Sequence, residues 1–520
     1  MPSLKPVREW AHRLSRALRS RDAFCAYVRT HGNARRAHSW TNEDLAPSPP
    51  PTVNWRAHNF CLFWFGMGFG NWTLGSSIVG AGLSWWQATI VVWIAASVSG
   101  LAMAFNSRAA ANYHSVPTFH ADFPDFQGGA YVSTMLRCLF GHRWETIGPR
   151  FPPSVGTTLQ RFIGFLLFWL IEFPFCSFRP NRLRWLYTLK AITLPPSVFG
   201  LLVYCLVQSR ARLASDERLI DQDTRPTGPA LAWLIVGSIT SAMGKWSTFI
   251  ANMPDFARYA TDPSGTMWTH ILFVPFPAAL GGMVGIFGTS CLQRARDVYD
   301  AILDHSWTGP ARFGVFLLAF SSALFNFGRF CDATALFPSY VNLTRGMWFC
   351  CLVSLALVPW KILASAQGFL AFLNGYGIFM GPTAAIMITD YWIVRRGNVH
   401  IADAYSSTPG ARYMYVHGLN LNATAAYACG VMIPFVGFVG TFGVPVPLGA
   451  ARCDELGWYI SAAGAGSVYL ALCRIFPLKN VDRSLAWEQL AREFAAERTS
   501  VENEPEKASD TGPNDGVVLC

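Results

Sequence analysis

Charge is what this sequence has least of. Of its 520 residues, 14% are Asp, Glu, Lys or Arg and 52% are hydrophobic, whereas an ordinary soluble protein carries about 25% charged residues. That deficit excludes a soluble multidomain chain and points to an integral membrane protein. Paired cysteines are missing as well. The thirteen Cys are scattered, mostly inside apolar stretches, with no CxxC and no Cys/His metal spacing, so they read as small buried hydrophobes. No nucleophile–base or metal constellation stands out, so the expectation is no enzyme, no metal and no cofactor. No apolar segment begins before about residue 58, where a secretory signal would lie.

What is present is a long series of apolar segments. Residues 1–57 are basic and then Pro-rich, with ten Lys/Arg between Met1 and Arg56; they predict a disordered cytoplasmic tail, not a nucleic-acid arm. Apolar spans follow at about 58–79, 88–104, 126–139, 162–178, 185–207, 231–243 and beyond, 271–289, around 321–326, 348–362, 369–394, 423–442 and 458–476. About twelve transmembrane helices are therefore expected across 58–477, with 478–520 a charged, solvated cytoplasmic tail. An even number of spans puts both tails on one side. Loop arginines such as Arg108, Arg179 to Arg184, Arg258, Arg345 and Arg395–Arg396 then fall inside, as the positive-inside rule asks.

Polar residues inside the spans carry the chemistry. Gly66-Met67-Gly68-Phe69-Gly70-Asn71-Trp72-Thr73 has the glycines of a phosphate loop but no strand before it, and that motif needs its strand–turn–helix context. Two readings remain: a broken helix whose carbonyls, with Asn71 and Thr73, face a cation or solute, or close helix packing through small residues. Gly244-Lys245-Trp246-Ser247 interrupts the sixth span. A Lys at that depth is expensive in hydrocarbon, so it faces a cavity or a partner; the plainer alternative is a kinked helix with a snorkelling Lys. Glu172 in the fourth span is a functional candidate by the same rule, or an interfacial residue beside Pro174. Asn374-Gly375-Tyr376-Gly377 lies in the tenth span, where a gating helix can flex.

Asn252-Met253-Pro254-Asp255-Phe256-Ala257-Arg258-Tyr259 resembles the Asn-x-Pro-Asp-Phe-x-Arg-Tyr signature closing the sixth helix of the nucleobase–cation symporter family, in its fungal uracil/allantoin permease branch. Further likeness lies in Gly82 to Ala88, Tyr113-His114-Ser115-Val116-Pro117, Arg184 to Ala191, Cys331 to Pro338 and Asp390-Tyr391-Trp392-Ile393-Val394-Arg395-Arg396. The resemblance covers about 54–477. It implies a LeuT-like all-α fold of two inverted five-helix repeats plus two extra helices. It also implies symport of a nucleobase-like solute (uracil, allantoin, uridine or thiamine) with a cation, a proton or sodium ion and for fungal relatives usually a proton, across the plasma membrane.

On that reading Trp246 or Trp72 stacks the solute ring, Asn71 and Asn374 read its edge, and Lys245 lies in the substrate site. Gly70, Thr73, Ser321 and Ser322 serve the cation. Asn252, Asp255 and Arg258 brace the cytoplasmic gate, or simply form a helix-end ion-pair cluster. The sequence departs from the family twice. The Trp-x-Gly-x-Gln element of the third helix is absent: Thr118 to Gln127 runs directly into Gly128-Gly129-Ala130-Tyr131, leaving His120, Phe126 and Gln127 as substitutes. The Asn-rich segment of the eighth helix is shortened, leaving Ser321, Ser322 and Asn326. Those losses keep a second class open, a non-transporting solute sensor or an inactive permease.

Overall fold

Twelve helical positions were expected, and the computed structural model has a helix at each. It describes residues 47–115, 126–148, 151–152, 155–175, 184–208, 226–292, 298–327, 340, 343–356, 359–362, 366–404, 411–416 and 418–503. Most of the N-terminal tail, the 118–125 segment with His120, and the Cys331–Pro338 motif lie outside the described residues.

The first span is two helices, α1 (Ala57–Gly68) and α2 (Trp72–Gly80), joined by a 3-10 turn at Phe69–Asn71. Then come α3 (Trp85–Tyr113), α4 (Phe126–Phe140), α5 (Leu159–Phe175), α6 (Arg184–Gln208) and α7 (Pro229–Ala257). The seventh span is α8 (Pro263–Phe273) with α9 (Pro275–Leu292), followed by a short outer helix α10 (Val298–His305). α11 (Gly309–Asn326), α12 (Leu343–Ala356), α13 (Ala366–Thr389) and α14 (Leu421–Gly440) continue the bundle. α15 (Leu448–Glu455) meets α16 (Gly457–Ile475) at an 85° bend, and α17 (Gln489–Asn503) lies beyond the last span. Among the described residues five helical stretches are individually long and apolar enough to cross a membrane, or six if the bent pair counts as one.

The core gathers α1, α2, α3, α7, α8, α9, α13 and α16 around Trp55, Phe63, Trp64, Trp246, Ile250 and Ala278. Glycines make the crossings tight. A Cβ at Gly285 would overlap the Trp72 carbonyl, and one at Gly75 would overlap that of Gly282, so the first and seventh spans touch backbone to backbone.

The sixth span corrects an expectation. α7 runs unbroken through Gly244 to Ala257; there is no interruption at Gly244–Ser247. Gly244 is there for contact, because a Cβ would overlap the Leu373 carbonyl of α13. The disturbance in this helix is at Pro254, which has no N–H to give the carbonyl four residues earlier. Asn106 of α3 donates to that carbonyl instead, Nδ2 to Ile250 O at 2.7 Å.

The C-terminal segment also differs from the solvated tail expected. Glu488 docks between α3 and the π-helical turn Asp390–Val394 that ends the tenth span. Its carboxylate accepts from Arg108 Nε and Nη2 at 2.9 and 2.8 Å, from Asn112 Nδ2 at 3.0 Å and from Tyr391 Oη at 3.0 Å. Burial works against that charge, yet the Arg108 hydrogen bonds hold the carboxyl below its usual range. Phe494 of α17 packs on Tyr113 at 5.8 Å.

Candidate solute and cation site

The 3-10 turn in the first span tightens three residues and leaves nearby backbone groups needing partners. One partner is Lys245 of α7, whose Nζ donates to Gly70 O at 2.6 Å. Two residues expected to serve different ligands, Lys245 for the solute and Gly70 for the cation, are thus bonded to each other. Next in the chain, Asn71 is buried, and its Nδ2 donates to Ala278 O of α9 at 2.9 Å. Its Oδ1 is buried with no hydrogen-bond partner among the described residues. A buried acceptor left unpaired costs about 1–3 kcal/mol, so Asn71 presents a ready site for an N–H donor.

Aromatic faces stand on the same helix as Lys245. Trp246 is buried, with its ring 6.3 Å from Trp64 of α1 and 5.7 Å from Phe249. One turn on, Thr248 Oγ1 donates to Tyr376 Oη of α13 at 2.7 Å. Lys245, Thr248 and Asn252 share one face of α7, since residues three and four apart lie above one another on a helix. Asn252 is 1% exposed, and neither its Oδ1 nor its Nδ2 has a partner among the described residues.

The other expected residues fall elsewhere. Trp72 turns its indole toward Gly288 of α9 and a cluster with Cys138, Leu201 and Cys205, so it forms no pair with Trp246. Asn374 gives its Nδ2 to Asp454 O at 2.9 Å, toward the α15–α16 bend. Gln127 Nε2 reaches Tyr131 Oη on its own helix at 3.4 Å. Thr73 is half-buried on α2. Ser321 is buried with its Oγ unpartnered among the described residues, and Ser322 Oγ bonds Tyr299 Oη at 2.7 Å; neither is joined to Gly70 or Thr73 by a described hydrogen bond. Glu172 is buried in α5.

A second lysine completes the picture. Lys190 of α6 is 0% exposed and packs beside Gly66 of α1. Its Nζ donates to Phe325 O at 3.0 Å and, more closely, to Phe327 O, and it lies 5.5 Å from the Tyr187 ring. The Phe325 carbonyl lies in the last turn of α11, where an α-helix lacks internal donors, and Phe327 is the capping residue just past it. At both places a fixed ammonium meets backbone oxygens of the kind that would hold a metal cation.

Comparison with known proteins settles the class. Residues 47–119 and 125–461 match the family model described as permease for cytosine/purines, uracil, thiamine, allantoin. The chain belongs to this family. An allantoin permease of Saccharomyces cerevisiae is 31% identical over 84% of this chain and 76% of its own, and a uracil permease of the same yeast is 29% identical over 86% and 79%. Among solved structures, Mhp1, a nucleobase-cation-symport-1 family transporter in a closed conformation with bromovinylhydantoin bound, superposes with a TM-score of 0.60 at 18% identity, covering 88% of this chain and 100% of that one. The inward-facing conformation of Mhp1 gives the same score at 16% identity. The fold is thus the all-α, LeuT-like transporter fold, with its inverted five-helix repeats and two further helices.

The N-terminal segment is tied to the C-terminal end of α7. Arg258, after α7, donates from Nε to Ser48 Oγ at 2.7 Å, and its carbonyl accepts from His114 Nδ1 at 3.1 Å. Burial, with the charges of Arg498 and Arg258 adding to it, pushes the His114 imidazole down to about 4, so it is the neutral ring that donates. Trp55 N and O bond Tyr259 O and Thr261 N, each at 2.9 Å. Of the three residues expected at a gate, Arg258 makes these contacts, Asp255 is half-buried, and Asn252 lies deeper in α7.

Sequence reasoning missed Trp64, His270, Asn106 and Glu488. Only Asn106 had a local signal, since Pro254 announces a free carbonyl four residues back. The others depend on which helices cross.

Proposed function

We propose that this permease is a proton-coupled symporter of a planar nitrogenous solute, of the uracil, allantoin, uridine or thiamine class, in the plasma membrane with both termini cytoplasmic. The observation that carries the reading is the Lys245 ammonium on the Gly70 carbonyl. It supports a proton over sodium as the coupled ion, because an ammonium takes the carbonyl that a sodium ion would need at the turn in the first span. Solutes of this class alternate ring N–H and C=O groups along one edge. Asn71 Oδ1 would accept from an N–H, Lys245 Nζ would donate to a neighbouring carbonyl, and Trp246 with Phe249 would supply an apolar wall. The names of the yeast relatives, permeases for allantoin and for uracil, agree with that edge pattern.

Uptake of labelled uracil, allantoin, uridine and thiamine into permease-null cells tests this. We expect uptake of at least one solute, collapse with a protonophore, indifference to sodium replacement, and loss on Trp246→Ala. A potential of 100 mV supplies about 2.3 kcal/mol per charge, enough for roughly fifty-fold accumulation. Absent uptake with normal surface delivery overturns transport and favours the sensor reading.

A further inference from the structure

His270 of α8 occupies a crossing that the site above does not use. Its carbonyl sits against Gly100 of α3, where a Cβ would come within 2.8 Å. Its imidazole is 0% exposed, edge-on to Phe60 and Trp64 of α1 at 5.4 and 5.6 Å. Nδ1 lies 3.0 Å from Trp64 Nε1, and Nε2 is buried with no hydrogen-bond partner among the described residues.

The chemistry of this pair is one-sided. An indole N–H only donates, so Nδ1 must offer a lone pair, and the neutral ring carries its proton on Nε2. A second proton has one place to go, Nδ1, where it would point at the Trp64 N–H. Two donors cannot share that hydrogen bond. The imidazole therefore holds either its second proton or Trp64, never both. Trp64 in turn packs against Trp246 at 6.3 Å and Phe249 at 6.1 Å, so releasing it loosens the aromatic wall beside the solute site and the grip of α1 on α8.

We propose that His270 is a proton-binding site of the transport cycle, taking the carried proton at Nδ1 in exchange for the Trp64 hydrogen bond. This rests on the proton-coupled reading. The step balances simply: a proton from water forms the Nδ1–H bond, Trp64 is released, Nε2–H is unchanged, and the proton later returns to water as Trp64 re-forms its bond. An unpaired charge in a dry, apolar crossing is expensive, which ties the protonated ring to a conformation that admits water. The ionisable groups on the elements packed around it are His58 and Cys61 on α1, Arg108 and Tyr113 on α3, and Lys245 and Asp255 on α7. Arg108 is held by Glu488 and Lys245 by Gly70.

The test uses the full chain in proteoliposomes and the variants His270→Gln, His270→Asn and Trp64→Phe. Gln can accept from Trp64 through Oε1 but takes no proton. With labelled uracil under an imposed proton gradient, we expect the wild type to approach the roughly fifty-fold accumulation available at 100 mV. His270→Gln should exchange uracil at equal concentrations while its accumulation falls to about one-fold. Equal accumulation by wild type and His270→Gln overturns the proposal. A wild type driven by sodium and not by protons overturns the coupling reading instead. A second arm needs no transport: the indole N–H hydrogen-bond marker in ultraviolet resonance Raman spectra, taken as wild type minus Trp64→Phe, should weaken on acidification in the wild type and stay fixed in His270→Gln and His270→Asn. A pH-independent wild-type marker, or the same response in all three, overturns it.

Discussion

Lys190 and Lys245 sit in neighbouring spans, and both give their ammonium to backbone carbonyls, but in different settings. Lys190 is wholly buried, takes two carbonyls at the end of α11 and rests near the Tyr187 ring. It works as a helix cap, closing a group of orphans that hydrocarbon cannot solvate. Lys245 is only partly buried and touches the carbonyl of a 3-10 turn, one residue from the unpaired Asn71 Oδ1 and one from Trp246. The first lysine is built into the scaffold. The second stands where a solute would compete for it. On the proposed function the same group would serve stability in one place and binding in the other, and the difference lies in burial and in what lies beside it.

The largest effect should come from the scaffold lysine. Lys190→Met keeps the length but takes the ammonium donor from two buried carbonyls, a loss of up to about 1–3 kcal/mol each; we expect poor folding, read as lost thermal stability in detergent and lost surface delivery. A fully stable Lys190→Met would break the comparison. Lys245→Met should do the opposite, abolishing uptake while melting within a few degrees of the wild type, since one partly buried contact is worth about 1 kcal/mol. Loss of folding there would make the two lysines equivalent. The smallest effect on uptake is expected from Gly244→Ala. Its Cβ would push on Leu373 and shift α7 at the residue before Lys245. We expect about 1–3 kcal/mol of destabilisation and a raised KM for uptake, with maximal rate less affected.

Much of this was legible from residues alone. The charge deficit, the spacing of apolar stretches and the Asn252–Tyr259 run carry the fold class and the family, because a bilayer imposes span length and apolarity on sequence directly. The turn at Phe69–Asn71 was legible too, as a glycine-rich stretch inside a span. The expected break at Gly244 was not borne out, since a glycine in a helix serves a hinge or a close contact equally well and only the neighbour, Leu373, decides. Trp72 and Asn374 carry suitable groups for a ring face and a ring edge, yet they point to α9 and to the α15–α16 bend. The shortened third helix is closed by Gly129 meeting the backbone of Phe165, where any Cβ would overlap. Its C-terminal end is tied by Arg137 to Glu145, Asp300 and Asp304.

The sequence by itself determined that this chain crosses a membrane many times, that it shares a permease ancestry, and that a lysine and an asparagine sit at span depth. Only the tertiary structure decided that Lys245 meets Gly70, that His270 holds Trp64 and that Glu488 straps the tail to α3. Local rules act within a few residues of chain, while hydrogen bonds between helices hundreds of residues apart depend on how the helices cross.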